Sequence, residues 1–390
     1  MAIYHITFCV LFILLFGCKK PYAPPVVSSP NSFIVVEGEI NPGNDSTIIK
    51  LSKTVKLSDK ITDNPVLGAR VSVENDQNNS WPLVDLESNG NYSIASLNLP
   101  ASQKYRLKIQ TADNKQYASD FMEVKPAPPI DSIGYNIVNG GVQIYVNAHD
   151  QANATRFYRW AYNETWKFQT YYESHYVLDT VHQSIVPRRP DQQVQFCFGN
   201  AASSHIVLNS TEKLASDVVY QSPIIFIPLG SEKFEFKYSI LVKQYALTKE
   251  AFSFYQNLEK STEQLGGIFD AQPSQLKGNI HNTNDPNEQV IGYVTVSAVQ
   301  SKRVFITKQE LGIKSIYPDY PYQCLQDTAL YVNKNGKDVY SLLIKPPVSH
   351  IPTYPIIAPD GTIVGYAYTS PECADCTLRG TVKTPSFWQE

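Results

Sequence analysis

The chain has 390 residues, 43% of them hydrophobic and 18% charged, a composition that excludes a mostly disordered protein and leaves room for two or three domains. Lysine and arginine number 33 against 36 acidic residues, a net charge of −3, so no basic surplus points to nucleic acid. The 25 tyrosines, 26 prolines and 19 glycines favour β-structure with many turns.

The first element is an apolar run over residues 6–16, broken only by Thr7. In helical form it rises roughly 16 Å, short of a hydrocarbon core of about 30 Å, and it has the length of a secretory h-region. It ends in Leu15-Phe16-Gly17-Cys18, which resembles a bacterial lipobox. That implies a lipoprotein signal peptide over 1–17, with cleavage after Gly17 and acylation of Cys18. Several acyl chains on one residue give stable anchoring to a membrane. Met1 to His5 carries no Lys or Arg, a departure from the usual basic start. Residues 18–31 contain Pro21, Pro24, Pro25 and Pro30, and read as an extended, lipidated tether.

A first β-sandwich is expected over 32–125. Residues 33–38 open it as a strand, and 105–109 alternate apolar and polar, the mark of a half-buried strand. Turn signals fall at 42–45, 75–79 and 89–91. Pro126, Pro128 and Pro129 then interrupt the chain, a boundary where ladder donors are missing.

A larger β-rich body is expected over 130–390. Asn139-Gly140 signals a hairpin, and residues 157–162 and 234–238 read as aromatic strands. Apolar spacing predicts one amphipathic helix near 248–264, with Thr248 as N-cap and Gly266-Gly267 as the stop. Residues 290–299, 304–306, 329–332 and 339–343 return to strand, with turns at Asn335-Gly336 and Asp360-Gly361. The fold class is therefore mostly β, a sandwich followed by a larger β-rich domain with one helix.

Once the leader is gone and Cys18 is acylated, Cys197, Cys324, Cys373 and Cys376 remain. An even number in an exported chain predicts structural disulfides, and four cysteines allow three connectivities. The C-x-x-C spacing of Cys373 and Cys376 also raises redox and zinc readings. The pair sits in an apparent loop, and no second close pair exists for zinc.

Candidate chemistry is sparse. No Gly-x-Ser-x-Gly elbow, His-Glu-x-x-His helix, phosphate loop or calcium loop occurs, so the expectation is no enzyme, no cofactor and no metal. His149 and Asp150 are neighbours that a strand would point to opposite faces, and His281 has no second ligand at metal spacing. Seven aromatics crowd residues 160–176, serving either a core or a contact surface. Trp166, Tyr171 and Tyr172 are the candidate binding surface, with 170–175 the more loop-like part.

Two resemblances follow from ordered motifs. Gly38-Glu39-Ile40, the segment 65–73 and Asn89-Gly90-Asn91-Tyr92 are similar to carboxypeptidase-regulatory-like (transthyretin-like) sandwiches. Residues 160–166, 241–248, 264–273, 278–281, 290–293 and the ending 373–388 together resemble the DUF4249 lipoproteins of Bacteroidetes. This second resemblance implies an outer-membrane lipoprotein, lipid-anchored on the periplasmic or the cell-surface face, often encoded beside a TonB-dependent receptor. It implies no known activity. The function expected is a non-enzymatic accessory or ligand-binding partner of such a receptor, taking a small-molecule, glycan or peptide ligand. The alternative is a structural or adhesive surface protein whose sandwiches act as spacers.

Overall fold

The computed structural model describes residues 32–55, 64–263, 278–313, 318, 320, 322–332, 337–344 and 349–389. The leader, Cys18, the proline tether, Gly266-Gly267 and Asn335-Gly336 lie outside the described residues. The protein is mostly β, as its composition and alternation require.

In the first body, two sheets face each other across one core. Ile34, Val36, Ile49 and Leu51 of one sheet meet Val71, Val73, Leu107 and Ile109 of the other. Strand Lys104–Gln110 shows how alternation builds this: Tyr105, Leu107 and Ile109 are buried, while Arg106 and Lys108 turn outward to Glu74 at 2.8 and 3.2 Å.

This body is not closed by residues 32–125 alone. Strand Val290–Gly292 pairs in parallel with Ile34–Glu39, and Ile280–Asn282 pairs antiparallel with Gln116–Ser119. The segment that sequence placed in the second body thus returns to the first, because Ile280, Val290, Val294 and Val296 fill its core. Gly292 permits the close approach. Its φ is +144°, and a Cβ there would lie 2.2 Å from the Val36 carbonyl oxygen.

The second body pairs a three-stranded sheet (Ile130–Val138, Gly141–His149, Val218–Pro228) with a sheet whose main strands are Phe196–Ala202, Phe157–Gln169, Lys237–Ala246 and Gln300–Thr307. The Asn139-Gly140 hairpin forms, with Gly140 at φ +84°. The expected helix runs over Lys249–Thr262, where the Thr248 hydroxyl accepts from the Ala251 N–H at 3.2 Å. It buries Ala251 and Phe254 and packs with Tyr245 and Leu247 on the outer side of strand Phe157–Gln169.

A smaller sheet of Gln326–Leu330, Ile363–Thr369 and Ile351–Ile357 follows. Residues 339–343, expected as strand, belong instead to a helix over Lys337–Leu343. Val339, Tyr340 and Leu343 are buried while Ser341 and Leu342 are exposed, the pattern of one helical face. A strand would turn Val339 and Tyr340 to opposite sides and bury Ser341 with Val339 and Leu343.

Two disulfides select one of the three connectivities, Cys197–Cys376 and Cys324–Cys373. The cysteines of the C-x-x-C motif therefore pair outward in opposite directions. One holds the C-terminal segment to strand Phe196–Ala202, and the other holds it to the residues that enter the small sheet.

The proline boundary is bonded into its surroundings. Lys125–Pro126 pairs in parallel with Ser297–Ala298. Gln244, fully buried, donates to the Pro128 carbonyl at 2.7 Å and accepts from the Trp160 indole at 2.9 Å. Gln244 thus satisfies both ends of its amide while bonding strands Phe157–Gln169 and Lys237–Ala246 to the boundary segment.

Candidate functional site

A cleft of about 850 Å³ lies where the two bodies meet. One wall is strand Ile34–Glu39. Its Ile34 and Val36 point into the first core, so alternation turns Val35, Glu37 and Glu39 towards the cleft. The facing wall is helix Lys249–Thr262, which contributes Phe254, Tyr255 and Leu258. Tyr293 and the 203–206 segment complete it, while Arg159 rises from strand Phe157–Gln169.

Arg159 is the central group. Its guanidinium ion-pairs with Glu39, and the two side chains are only 15% and 16% exposed. Its Cζ lies 4.2 Å from the centre of the Tyr245 ring and 4.9 Å from that of Tyr255. A cation between two aromatic faces and one carboxylate is held by quadrupole and charge together. This contact ties the outer face of the second body to the opening strand of the first. Burial pushes the Tyr255 phenol above its ordinary pKa, the Arg159 charge opposes this, and the Glu37 carboxylate adds to the rise. The Tyr255 hydroxyl donates to the Tyr293 carbonyl at 3.4 Å, and Phe254 packs on the Tyr293 ring at 5.4 Å.

The rim is polar. His205 meets Glu263 at 3.3 Å, and the other Glu263 oxygen accepts from the Ile206 N–H at 2.8 Å. Ser203 and Ser204 adjoin His205 in the chain, yet among the described residues no hydrogen bond joins either hydroxyl to the imidazole. Glu37 is exposed and has no ion-pair partner among the described residues. The lining therefore carries three carboxylates, Glu37, Glu39 and Glu263, against one guanidinium.

The residues singled out from sequence separate. Trp166 is 9% exposed and belongs to the second core, its indole N–H donating to Glu232 at 3.1 Å. It is not a surface, because even-numbered residues of its strand face inward in one row from Tyr158 to Phe168. Glu164 lies in that row and is 3% exposed, ion-paired with Lys233 at 2.7 Å and accepting a hydrogen bond from the Tyr238 hydroxyl at 2.8 Å. Tyr171 is exposed and packs edge-on against Tyr172 at 4.8 Å, and Tyr172 donates to the Cys324 carbonyl at 3.3 Å. This tyrosine pair thus sits beside the disulfide-held segment and away from the cleft lining.

His149 ends its strand and meets Asp131 at 2.7 Å, which raises its pKa, while Asp150 accepts three backbone N–H groups in the following turn. His281 is exposed, 3.4 Å from Asp120. Among the described residues no group of three or more His, Cys, Asp or Glu is placed to hold a metal ion, and no helix is long and apolar enough to cross a membrane. The cleft residues were not legible individually. The sequence pointed at its two walls only as elements, an opening strand over 33–38 and a helix near 248–264.

The family model described as a domain of unknown function, DUF4249, matches residues 19–303. No match was found among the curated proteins. Among solved structures, a carbohydrate-binding candidate from Bacteroides uniformis is 9% identical, with a TM-score of 0.15 over 56% of this chain and 91% of its own. A bacterial ice-binding adhesin involved in host cell surface retention is 9% identical, with a TM-score of 0.14 over 55% of this chain and 60% of its own. Likenesses at that level carry no functional argument.

Proposed function

The chain belongs to the DUF4249 family, and from that premise we propose that it is a lipid-anchored, non-enzymatic binding protein of the outer membrane that serves a TonB-dependent receptor. The first sandwich is, in this reading, a carboxypeptidase-regulatory-like (transthyretin-like) module. The observation that carries the binding reading is the cleft between the bodies. Its volume of about 850 Å³ lies within the several-hundred-Å³ range of small-ligand sites. Its aromatic wall and convergent charged groups supply contact area and orientation, and its serines lack the hydrogen bond to histidine that an activated nucleophile uses.

Anchoring supplies the mechanism. Acyl chains on Cys18 and a short proline tether would keep the cleft near the receptor mouth, raising the local concentration of captured ligand without new contacts. The test is purification from the membrane in mild detergent. The expected result is an acylated Cys18 by mass spectrometry and a co-purifying large β-barrel. A soluble product that retains residues 1–17, or a lipoprotein recovered without any barrel after cross-linking in cells, contradicts the proposal.

A further inference from the structure

We propose that the cleft selects an organic cation, a guanidinium or primary ammonium group on a short ligand, with Glu37 as its counter-charge and Tyr255 as its aromatic face. The inference rests on the cleft being the ligand site, and it assigns the ligand's chemistry.

The protein already holds one such cation in the same walls. Arg159 is packed between Tyr245 and Tyr255 and neutralised by Glu39. Two residues earlier on the same strand face, Glu37 repeats the carboxylate, but it is exposed and has no ion-pair partner among the described residues. Strand geometry puts Glu37 and Glu39 on one side, about 7 Å apart along the strand. Glu37 and Tyr255 both line the cleft, so acid and ring face the same space.

Charge decides the sign of the ligand. Three carboxylates outnumber the one guanidinium, and with either state of His205 the lining is net negative. A negative cleft with low-dielectric walls attracts cations and repels carboxylates and phosphates. The aromatic wall of Phe254, Tyr255 and Tyr293 adds the face on which a guanidinium or ammonium is held best. A neutral ligand would leave Glu37 unanswered and partly desolvated, which works against its binding. A peptide side chain and a free polyamine both carry such a cation, and the cleft's volume of about 850 Å³ accommodates either.

The experiment is calorimetric titration of the full, detergent-solubilised chain with triarginine, spermidine, triglycine and triglutamate. Triarginine or spermidine should bind, more weakly as salt rises, with triglycine and triglutamate at least tenfold weaker. Preference for triarginine assigns a peptide source, and preference for spermidine a polyamine. Glu37→Gln should weaken cation binding about tenfold and Tyr255→Leu about fivefold. Glu37→Gln leaves the Arg159–Glu39 contact in place, whereas Tyr255→Leu also removes one of the two rings that hold Arg159, so Glu37→Gln is the deciding variant. Cation binding unchanged in Glu37→Gln, or equal binding of triglycine, overturns the charge assignment. A Ser204→Cys variant blocked with a bulky maleimide separates the two readings. If blocking removes binding of whichever probe binds, the cleft stands and only its selectivity is at issue. If cation binding survives the block, the cleft itself is refuted.

Discussion

Breaking the contact between Arg159 and Glu39 should loosen the join between the two bodies by an amount that can be worked from its burial. Each side chain is about five-sixths buried, so Arg159→Met strands the Glu39 carboxylate in a half-dry interface, and Glu39→Gln strands the guanidinium. A fully buried pair broken on one side costs about 3–5 kcal/mol, and exposed pairs couple by less than about 1 kcal/mol. The remaining exposure of Arg159 and Glu39 places each single change at about 2–3 kcal/mol. The aromatic contacts of Arg159 with Tyr245 and Tyr255 are lost in the single and the double variant alike. They therefore cancel from a double-mutant cycle. The cycle, read by urea unfolding, should return a coupling of about 2 kcal/mol, and the double variant should be more stable than the sum of the single losses implies. Additivity within about 0.5 kcal/mol would refute the reasoning and make the pair an ordinary surface contact.

Other consequences follow from particular side chains. Trp166→Ala should cost about 3–5 kcal/mol by opening a cavity in the second core, while Tyr171→Ala should stay within about 0.5 kcal/mol, both read by denaturant midpoints. Replacing Cys324 and Cys373 by serine releases a loop of 49 residues and should cost about 4 kcal/mol, and replacing Cys197 and Cys376 releases one of 179 and should cost about 5 kcal/mol. Equal stability of the reduced and oxidised forms would contradict this. Glu235 is buried, and desolvation raises its pKa, aided by Glu232 and opposed by hydrogen bonds from Gln169. Its native state thus binds the proton more tightly than the unfolded chain. That stabilisation is full below the ordinary carboxylate range and is lost as pH rises through the raised value. Glu235→Gln should therefore gain on the parent protein as pH is raised from acid to neutral, and a constant difference across that range would contradict the assignment.

What was legible in the chain follows from how local each signal is. The helix Lys249–Thr262 announced itself because its cap at Thr248 and its apolar stripe lie within one continuous segment. The Asn139-Gly140 hairpin is equally local. The return of Val290–Gly292 to the opening strand is a pairing across some 250 residues, and no spacing in a single sequence encodes it. Trp166 was misplaced for a different reason. The alternation that carries Trp160, Tyr162, Trp166 and Phe168 inward also carries Glu164, and a carboxylate in the row disguises a core face unless Lys233 and Tyr238 are known to meet it. Residues 339–343 are apolar enough for either element, and the burial of the adjacent Val339 and Tyr340 together with Leu343, with Ser341 and Leu342 exposed, decides for helix. The cleft combines all these non-local placements, so its residues became a set only once both bodies were in position.

The most direct measurement is photo-cross-linking in growing cells, with a benzophenone side chain placed at Ser204 on the cleft wall and, in a second strain, at Gln77 in a turn of the first body. Adducts of a few hundred daltons at position 204, missing at position 77 and diminished when Tyr255 is replaced, are the predicted outcome. Equal labelling at both positions, or a wall that captures nothing, would contradict the proposal that the seam between the sandwiches holds a ligand.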